Sequence, residues 1–402
     1  MRFLLLTASL LSTPAIAQTV LVVGEDAGPD VDFTSIIEAV SAAEAGDVIL
    51  VRDGSYFGFI LDKPLSIYAE GDGALITSPV TVRWTEPGEQ VVLQGLTIVS
   101  SSSPGLGISE NEGLVWLEEL DVVGGGFPLF SGNIGVSINS SSNVAVTDCN
   151  FAALELVPGG NGGEEGLIVR DSNVWIYDTA VQAGLQLTSF AAAGAIFHDS
   201  TGFVASSTFM GGPGPDGSDA TLAVKCSDGA MGGSGVRLES DADLTFLSSQ
   251  FIGGPGGAAG EGGCLPGEQG LMIATDGTAF PDLQETVLPP RGYTFPNPLA
   301  TGTPAVSSFF GTPGELAWGL YSVNQAPVQQ PLLNGVLFPS DPLIILFVGV
   351  IPASGQLDLP YTINLPAGTP FAQVWQQPVF FSLEDSFVLG TPRAALVIGA
   401  GS

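Results

Sequence analysis

One polar position recurs in five similar segments of the sequence, and some of its occupants carry side chains that take part in acid-base chemistry. The segments begin with Gly135, Gly166, Gly194, Gly235 and Gly270, and the equivalent residues within them are Asn139, Arg170, His198, Glu239 and Ala274. Parallel strands lie about 4.8 Å apart, so stacked segments would align these side chains in one row on an outer face. Such a row can bind a sugar or transfer protons.

A structural explanation of this row competes with the functional one, and the sequence favours it. Alternate residues of an exposed strand are usually polar, and opposite charges on neighbouring strands stabilise a sheet. A functional site requires groups that converge in a cleft, which a row alone does not provide. If the row does bind a ligand, the candidate residues are Arg170, Asp171, His198, Asp199 and Glu239. No catalytic residue is assigned.

A second row is acidic and contains Glu119, Asp148 and Asp178, followed by Ser206 and Ser248. Like charges at strand spacing repel one another unless a cation offsets them, so a bound Ca²⁺ is one explanation. The sequence contains no EF-hand loop and no nonapeptide Ca²⁺ repeat, which favours solvated carboxylates near turns. We therefore predict no metal ion and no other cofactor.

Two tryptophans, Trp116 and Trp175, share a register on either side of the segment that contains Ala145. If they are exposed, their rings form a platform on which a sugar can stack. If they are buried, they fill the core. The alternation of neighbouring residues does not decide between these two placements.

The elements that position these residues are repeated strands. One strand of each repeat ends in an apolar residue, and the set of these residues is Ile98, Val122, Phe151, Val181, Phe209 and Phe251. The repeats are about 24 to 42 residues long, and such units must stack to bury a continuous core. Glycine-rich insertions near Val157, Gly211 and Gly253 absorb the variation in length, and their composition predicts tight turns.

The segment before the repeats is typical of a short helix followed by a strand. Ile36, Ile37, Ala39, Val40 and Ala43 have helical spacing, Gly46 ends the helix, and residues 48–51 form an apolar strand. This segment resembles the N-terminal cap of the pectin-lyase-like superfamily. The resemblance implies an all-β chain with a right-handed parallel β-helix and an N-terminal helical cap.

The length of the chain favours two domains. Residues 1–17 have the pattern of a cleaved secretory signal, residues 18–277 are assigned to the β-helix, and residues 278–300 to a proline-rich linker. Residues 301–402 alternate short apolar strands with Pro and Gly turns, which predicts an antiparallel β-sandwich. This last segment resembles C-terminal modules of secreted proteins from planctomycete-like bacteria.

The charge of the chain limits its partners. The formal charge of −32 repels nucleic acid and anionic membranes. The apolar run 343–351 is too short to cross a membrane. Together with the signal pattern of residues 1–17, this predicts a protein that is secreted or bound to the cell surface. Cys226 and Cys264 lie in similar glycine-rich loops and are the predicted disulfide pair, which leaves Cys149 as a free thiol in a strand.

Enzymes of the pectin-lyase-like superfamily need motifs that this chain lacks. Polygalacturonases use a Gly-His-Gly motif, whereas His198 lies in Ile-Phe-His-Asp, and Arg83-Trp84 lacks the surroundings found in pectin methylesterases. No basic residue lies in a lyase motif. The sequence therefore predicts a non-catalytic protein that binds extracellular polysaccharide or neighbouring surface proteins. The alternatives are a polysaccharide lyase or hydrolase and a purely structural component of the cell envelope.

Overall fold

The computed structural model describes residues 18–71, 73–101, 104–125, 134–153, 165–185, 191–220, 225–279, 281–284, 291–330, 333, 335–382 and 386–400. The predicted signal peptide, residues 1–17, and the predicted insertion near Val157 lie outside these ranges. The chain is nearly all β, as predicted, and contains large parallel sheets. It divides into two compact units, one formed mainly by residues 49–286 and the other mainly by residues from 287 onward.

The predicted helix is present as α1 (Ile36–Ala42). Ser35 precedes it in an extended conformation, and Ile36, Ala39 and Val40 are its buried residues. Gly46 then adopts a left-handed conformation with a φ of 89°, which glycine reaches without steric cost. Among the described residues, no helix has the length and hydropathy that a membrane crossing requires.

The first parallel sheet, called sheet 1, contains ten strands. In spatial order they are β1 (Val20–Val23), β2 (Val48–Val51), β5 (Ser66–Ala69), β8 (Gln90–Gln94), β11 (Leu114–Glu118), β14 (Asn143–Thr147), β17 (Asn173–Tyr177), β20 (Thr201–Ala205), β23 (Asp243–Leu247) and β26 (Asp282–Gln284). All pairings from β5 to β26 are parallel.

Sheets 2 and 3 contain eight parallel strands each. Sheet 2 consists of β4 (Ile60–Leu61), β7 (Val80–Arg83), β10 (Leu106–Ser109), β13 (Val136–Asn139), β16 (Leu167–Arg170), β19 (Ala195–His198), β22 (Val236–Glu239) and β25 (Ile273–Thr275). Sheet 3 consists of β3 (Gly54–Tyr56), β6 (Ala74–Ile76), β9 (Thr97–Ser100), β12 (Asp121–Gly124), β15 (Asn150–Ala153), β18 (Ala180–Gln182), β21 (Thr208–Met210) and β24 (Gln250–Ile252). From β4 onward, the chain visits sheets 2, 1 and 3 in turn.

The predicted apolar stack lies in sheet 3. Ile98, Val122, Phe151, Val181, Phe209 and Phe251 are direct neighbours in successive strands. All of them except Phe251 are fully buried. The prediction of stacked repeats with a continuous core is therefore confirmed for this column.

Two sets of corner residues connect the sheets and adopt left-handed conformations with φ between 46° and 56°. The corners after sheet 2 strands include Glu110, Ser140, Asp171, Asp199 and Ser240, and those after sheet 1 strands are Glu119, Asp148, Asp178, Ser206 and Ser248. Most of these corners are Asp or Ser, and short polar residues tolerate this conformation better than most others, since their side chains can form local hydrogen bonds. The predicted acidic row is therefore a row of corners.

A ladder of buried polar side chains follows the second set of corners. The backbone N–H of Cys149 donates to Thr179 Oγ1, that of Thr179 to Ser207 Oγ, and that of Ser207 to Ser249 Oγ. Cys149 Sγ in turn lies 3.3 Å from the carbonyl oxygen of Thr147. Burial raises the pKa of the Cys149 thiol. The free thiol thus occupies a structural position that hydroxyl side chains fill elsewhere.

The glycine-rich insertions pack against one another instead of forming isolated turns, and we call residues 211–220, 225–235, 253–262 and 265–270 the glycine bundle. Gly214, Gly217 and Ala220 donate to the carbonyl oxygens of Pro255, Ala258 and Glu261. The donors are three residues apart, which is the repeat of a polyproline II helix. A Cβ atom on Gly233 would lie 1.8 Å from the carbonyl oxygen of Ala192, so close backbone packing requires glycine there.

The predicted disulfide between Cys226 and Cys264 is confirmed, and it links a segment of the glycine bundle to the short connection between two of its other segments. The bond closes a loop with a sequence separation of 38 residues. Replacing both cysteines with serine is expected to destabilise the bundle by about 3 to 4 kcal/mol, because the unfolded loop gains conformational entropy. Hydrogen exchange of residues 211–271 measures this loss of protection.

A matched control is Cys149→Ser, which places a hydroxyl where Thr179 and Ser207 carry theirs and should change protection little. Equal protection of the glycine bundle in the wild type and in the C226S/C264S variant would contradict the prediction. Peptide mapping without reduction should detect the linked Cys226 and Cys264 peptides in the wild type.

The second unit contains smaller sheets. A three-stranded antiparallel sheet is formed by β27 (Gly292–Thr294), β29 (Pro304–Phe310) and β34 (Gln356–Thr362). A six-stranded sheet contains β28 (Leu299–Ala300), β37 (Arg393–Ile398), β35 (Phe371–Ser382), β30 (Leu316–Ser322), β33 (Ile344–Val350) and β36 (Ser386–Leu389), and β31 (Gln325–Gln330) pairs with β32 (Gly335–Pro339). All these pairings are antiparallel except that of β28 with β37.

Candidate functional site

The predicted outer row lies in sheet 2. Asn139, Arg170, His198 and Glu239 are direct neighbours in β13, β16, β19 and β22. The placement of Ala274 in this row was wrong, because Ala274 pairs with Arg237. Gly270 belongs to the glycine bundle and donates to the carbonyl oxygen of Gly254. The strand begins only at Ile273, so its register is displaced by two residues from the predicted one.

His198 is the centre of a polar cluster at the ends of β19 and β22. Its Nδ1 atom lies 3.0 Å from Asp199 Oδ2, and its Nε2 atom lies 3.1 Å from Ser240 Oγ. The Nδ1 contact has the distance of an ion pair without good alignment of a hydrogen bond. The side chains of His198 and Asp199 are 37% and 41% exposed, so both are accessible to a ligand.

The carboxylate of Asp276 binds the backbone of Ser240. The Ser240 N–H donates to Asp276 Oδ2 over 2.6 Å, and Thr278 Oγ1 lies 2.6 Å from Asp276 Oδ1. These hydrogen bonds, that from the Thr278 side chain first, lower the pKa of Asp276 to about 2. The carboxylate therefore stays ionised in weak acid and fixes the backbone of the Ser240 corner.

Arg237 is a member of the site that the sequence analysis missed. Its Nε atom lies 2.7 Å from Glu239 Oε1, and its Nη2 atom lies 3.9 Å from Glu165 Oε1. Residues two apart on a strand share a face, so the alternation in Val-Arg-Leu-Glu was the signal that could have revealed it. Glu239 is consequently an ion-paired carboxylate.

Arg170 has a different environment from Arg237. Its side chain is exposed at the end of β16, beside His198. No carboxylate in the described part of the chain lies within 4.0 Å of its guanidinium. The next residue, Asp171, is a corner with a φ of 48°. Arg170 thus offers hydrogen-bond donors to solvent at one end of the row.

The other candidate features do not form a ligand site. Trp116 is completely buried and Trp175 is 8% exposed, so neither can serve as a sugar-stacking platform. Trp116 Nε1 donates to Glu118 Oε2 over 2.7 Å inside the protein. Within the described ranges, no three metal-binding side chains come together.

No protein-family model matches the chain, and no curated protein matches it. The interpretation of the site therefore rests on its own geometry.

Proposed function

We propose that residues 18–277 form a right-handed parallel β-helix of the pectin-lyase-like kind, closed at its N-terminal end by α1. The support is the regular contribution of one strand per repeat to each of three parallel sheets. For residues 301–402 we propose an antiparallel β-sandwich. The support is a set of antiparallel sheets with separate apolar clusters around Phe309 and Leu320.

We propose that the protein is secreted or bound to the cell surface. The Cys226–Cys264 disulfide supports this location, because such bonds persist mainly in oxidising compartments. The N-terminal pattern of residues 1–17 is typical of a secretory signal. The strongly acidic composition favours solubility outside the cell and disfavours nucleic acid as a partner.

The protein binds extracellular polysaccharide through the outer row of sheet 2, without cleaving its glycosidic bonds. The observation that carries this proposal is the straight row of Asn139, Arg170, His198 and Glu239. Side chains at a constant spacing match a ligand that repeats, and Arg170 supplies donors for hydroxyl groups. Neutral glycans should bind at least as well as acidic ones, since a charge of −32 repels polyanions.

The triple replacement of Arg170, His198 and Glu239 with Ala should weaken glycan binding at least tenfold. Each residue is at least partly exposed, so each substitution should change the free energy of unfolding by only about 0.5 kcal/mol. Affinity electrophoresis of the wild type on a panel of neutral and acidic polysaccharides identifies the ligand. The same assay on the variant measures the loss.

A matched control is the triple replacement of Asp121, Asn150 and Gln250 with Ala, since these are exposed polar residues at equivalent positions of β12, β15 and β24 in sheet 3. Their replacement should leave binding unchanged. Equal binding by both triple variants would remove the site from sheet 2. Shortening of any polysaccharide by the wild type would favour a lyase or hydrolase, and binding only to surface proteins would favour an envelope component.

A further inference from the structure

Ser240, His198 and Asp199 are arranged as a nucleophile, a base and an orienting carboxylate. Asp199 is the corner after β19, and Ser240 is the corner after the neighbouring strand β22. The imidazole of His198 lies between them, with 3.1 Å from Nε2 to Ser240 Oγ and 3.0 Å from Nδ1 to Asp199 Oδ2. Catalytic triads are recognised by these relations and not by the order of residues in the chain.

The contacts of His198 favour one tautomer of its imidazole ring. A carboxylate beside Nδ1 favours the tautomer that carries its proton on that atom. The lone pair of Nε2 then faces the hydroxyl of Ser240 and can accept its proton. In structures without substrate, hydrogen bonds between catalytic groups are often poorly aligned, which is the state of the His198–Asp199 contact.

We propose that Ser240 is a nucleophile, activated by His198 and oriented by Asp199, that hydrolyses carboxylic esters. Ser240 Oγ attacks the carbonyl carbon while its proton passes to His198 Nε2. The ester C–O bond breaks, and the leaving alcohol takes that proton. Water then attacks the acyl-serine with His198 as the base, which releases the acid and restores Ser240. The reaction needs no oxidant, metal or cofactor.

The surroundings of Ser240 restrict the esters that this site can cleave. Its backbone N–H is bonded to Asp276 Oδ2, and that of Asp241 donates to Asp199 Oδ1 over 3.3 Å. Neither amide is free to stabilise an oxyanion, and such donors usually contribute about 100-fold or more to the rate. We therefore assign the site to esters with good leaving groups and exclude amides.

This activity goes beyond the proposed binding of polysaccharide and does not depend on it. The motifs of lyases, polygalacturonases and pectin methylesterases do not include a serine nucleophile with a histidine base. The absence of those motifs from the sequence therefore does not argue against a serine nucleophile at this position.

The test is reaction of the full-length mature protein with a fluorophosphonate probe and with 4-nitrophenyl acetate. Mass spectrometry should locate the phosphonyl adduct on Ser240, and Ser240→Ala should abolish the labelling. Ester turnover should fall about 100-fold or more in Ser240→Ala and His198→Gln, because both remove nucleophilic attack assisted by a base. Asp199→Asn should reduce turnover with Ser240 still present, because the imidazole loses its orienting carboxylate.

A matched control is Ser140→Ala. Ser140 is a corner of the same set, with a φ of 47°, but it follows Asn139 and has no histidine beside it. This variant should keep the labelling and turnover of the wild type. An adduct on another residue, no adduct at all, or full turnover by a folded Ser240→Ala variant would overturn the proposal. The assays contain no glycan, so their failure is separate from a failure of polysaccharide binding.

Discussion

Replacing Phe209 with Ala should lower the free energy of unfolding by about 3 to 5 kcal/mol, the usual range for truncating a buried aromatic side chain. Phe209 is fully buried in the apolar stack between Val181 and Phe251. Its ring lies 5.9 Å from that of Phe251 in a stacked arrangement and 6.4 Å from that of Phe197. Neighbouring strands held by their ladders cannot close the resulting cavity fully.

Urea titration followed by circular dichroism measures this change, with hydrogen exchange of sheet 3 to identify the transition of residues 49–286. The matched control is Phe57→Ala, since the side chain of Phe57 is 75% exposed. That substitution should change the free energy of unfolding by about 0.5 kcal/mol or less. Similar losses for the two variants would contradict the assignment of Phe209 to the core.

Removing either partner of the Arg291–Glu315 pair should destabilise the second unit by about 3 to 5 kcal/mol. The two side chains are almost completely buried, and Arg291 Nε donates to Glu315 Oε1 over 2.9 Å. Glu315 Oε2 also accepts the backbone N–H of Thr312. Arg291→Met or Glu315→Leu alone leaves a buried charge without its main partner, which the protein interior solvates poorly.

The double replacement R291M/E315L should cost less than the sum of the two single ones, because neither charge of the pair is then left buried without its partner. Urea titrations of the four proteins provide the coupling energy. Arg52 and Glu70 form the matched exposed pair at 3.2 Å, and Arg52→Ala should cost at most about 1 kcal/mol. Additive effects of the two buried substitutions would show that the pair is not coupled.

The parallel sheets could be predicted from the sequence because each repeat carries the same signals. The column from Ile98 to Phe251 was predicted from apolar residues at alternate positions and from a polar corner after each strand. Ala274 was placed wrongly because Gly270 resembles the glycines that begin the earlier strands but packs in the glycine bundle. In the second unit, Pro304, Ser307 and Ser308 interrupt the apolar pattern of β29, so the sequence indicates this strand only weakly.

Only part of the site could be predicted. A repeated position identifies neighbours along a column, so Arg170, His198 and Glu239 were found together. The contact of His198 with Ser240 joins residues that are 42 apart in the sequence, and it depends on the side-chain rotamer of His198. No local pattern encodes that rotamer. Arg237 was missed because its column contains Ile168, Ile196 and Ala274, so no polar residue recurs there to mark it.

Inward and outward positions of the glycine bundle are under different sequence constraints. At inward positions such as Gly233, even one added methyl group would collide with a neighbouring backbone. Outward residues such as Met231 and Leu265 are largely exposed, and their side chains have few neighbours to fit. Mutations can therefore accumulate on the outer surface while the glycines stay fixed. Related chains under changing selection are expected to diversify there fastest, with insertions and deletions that preserve the three-residue repeat.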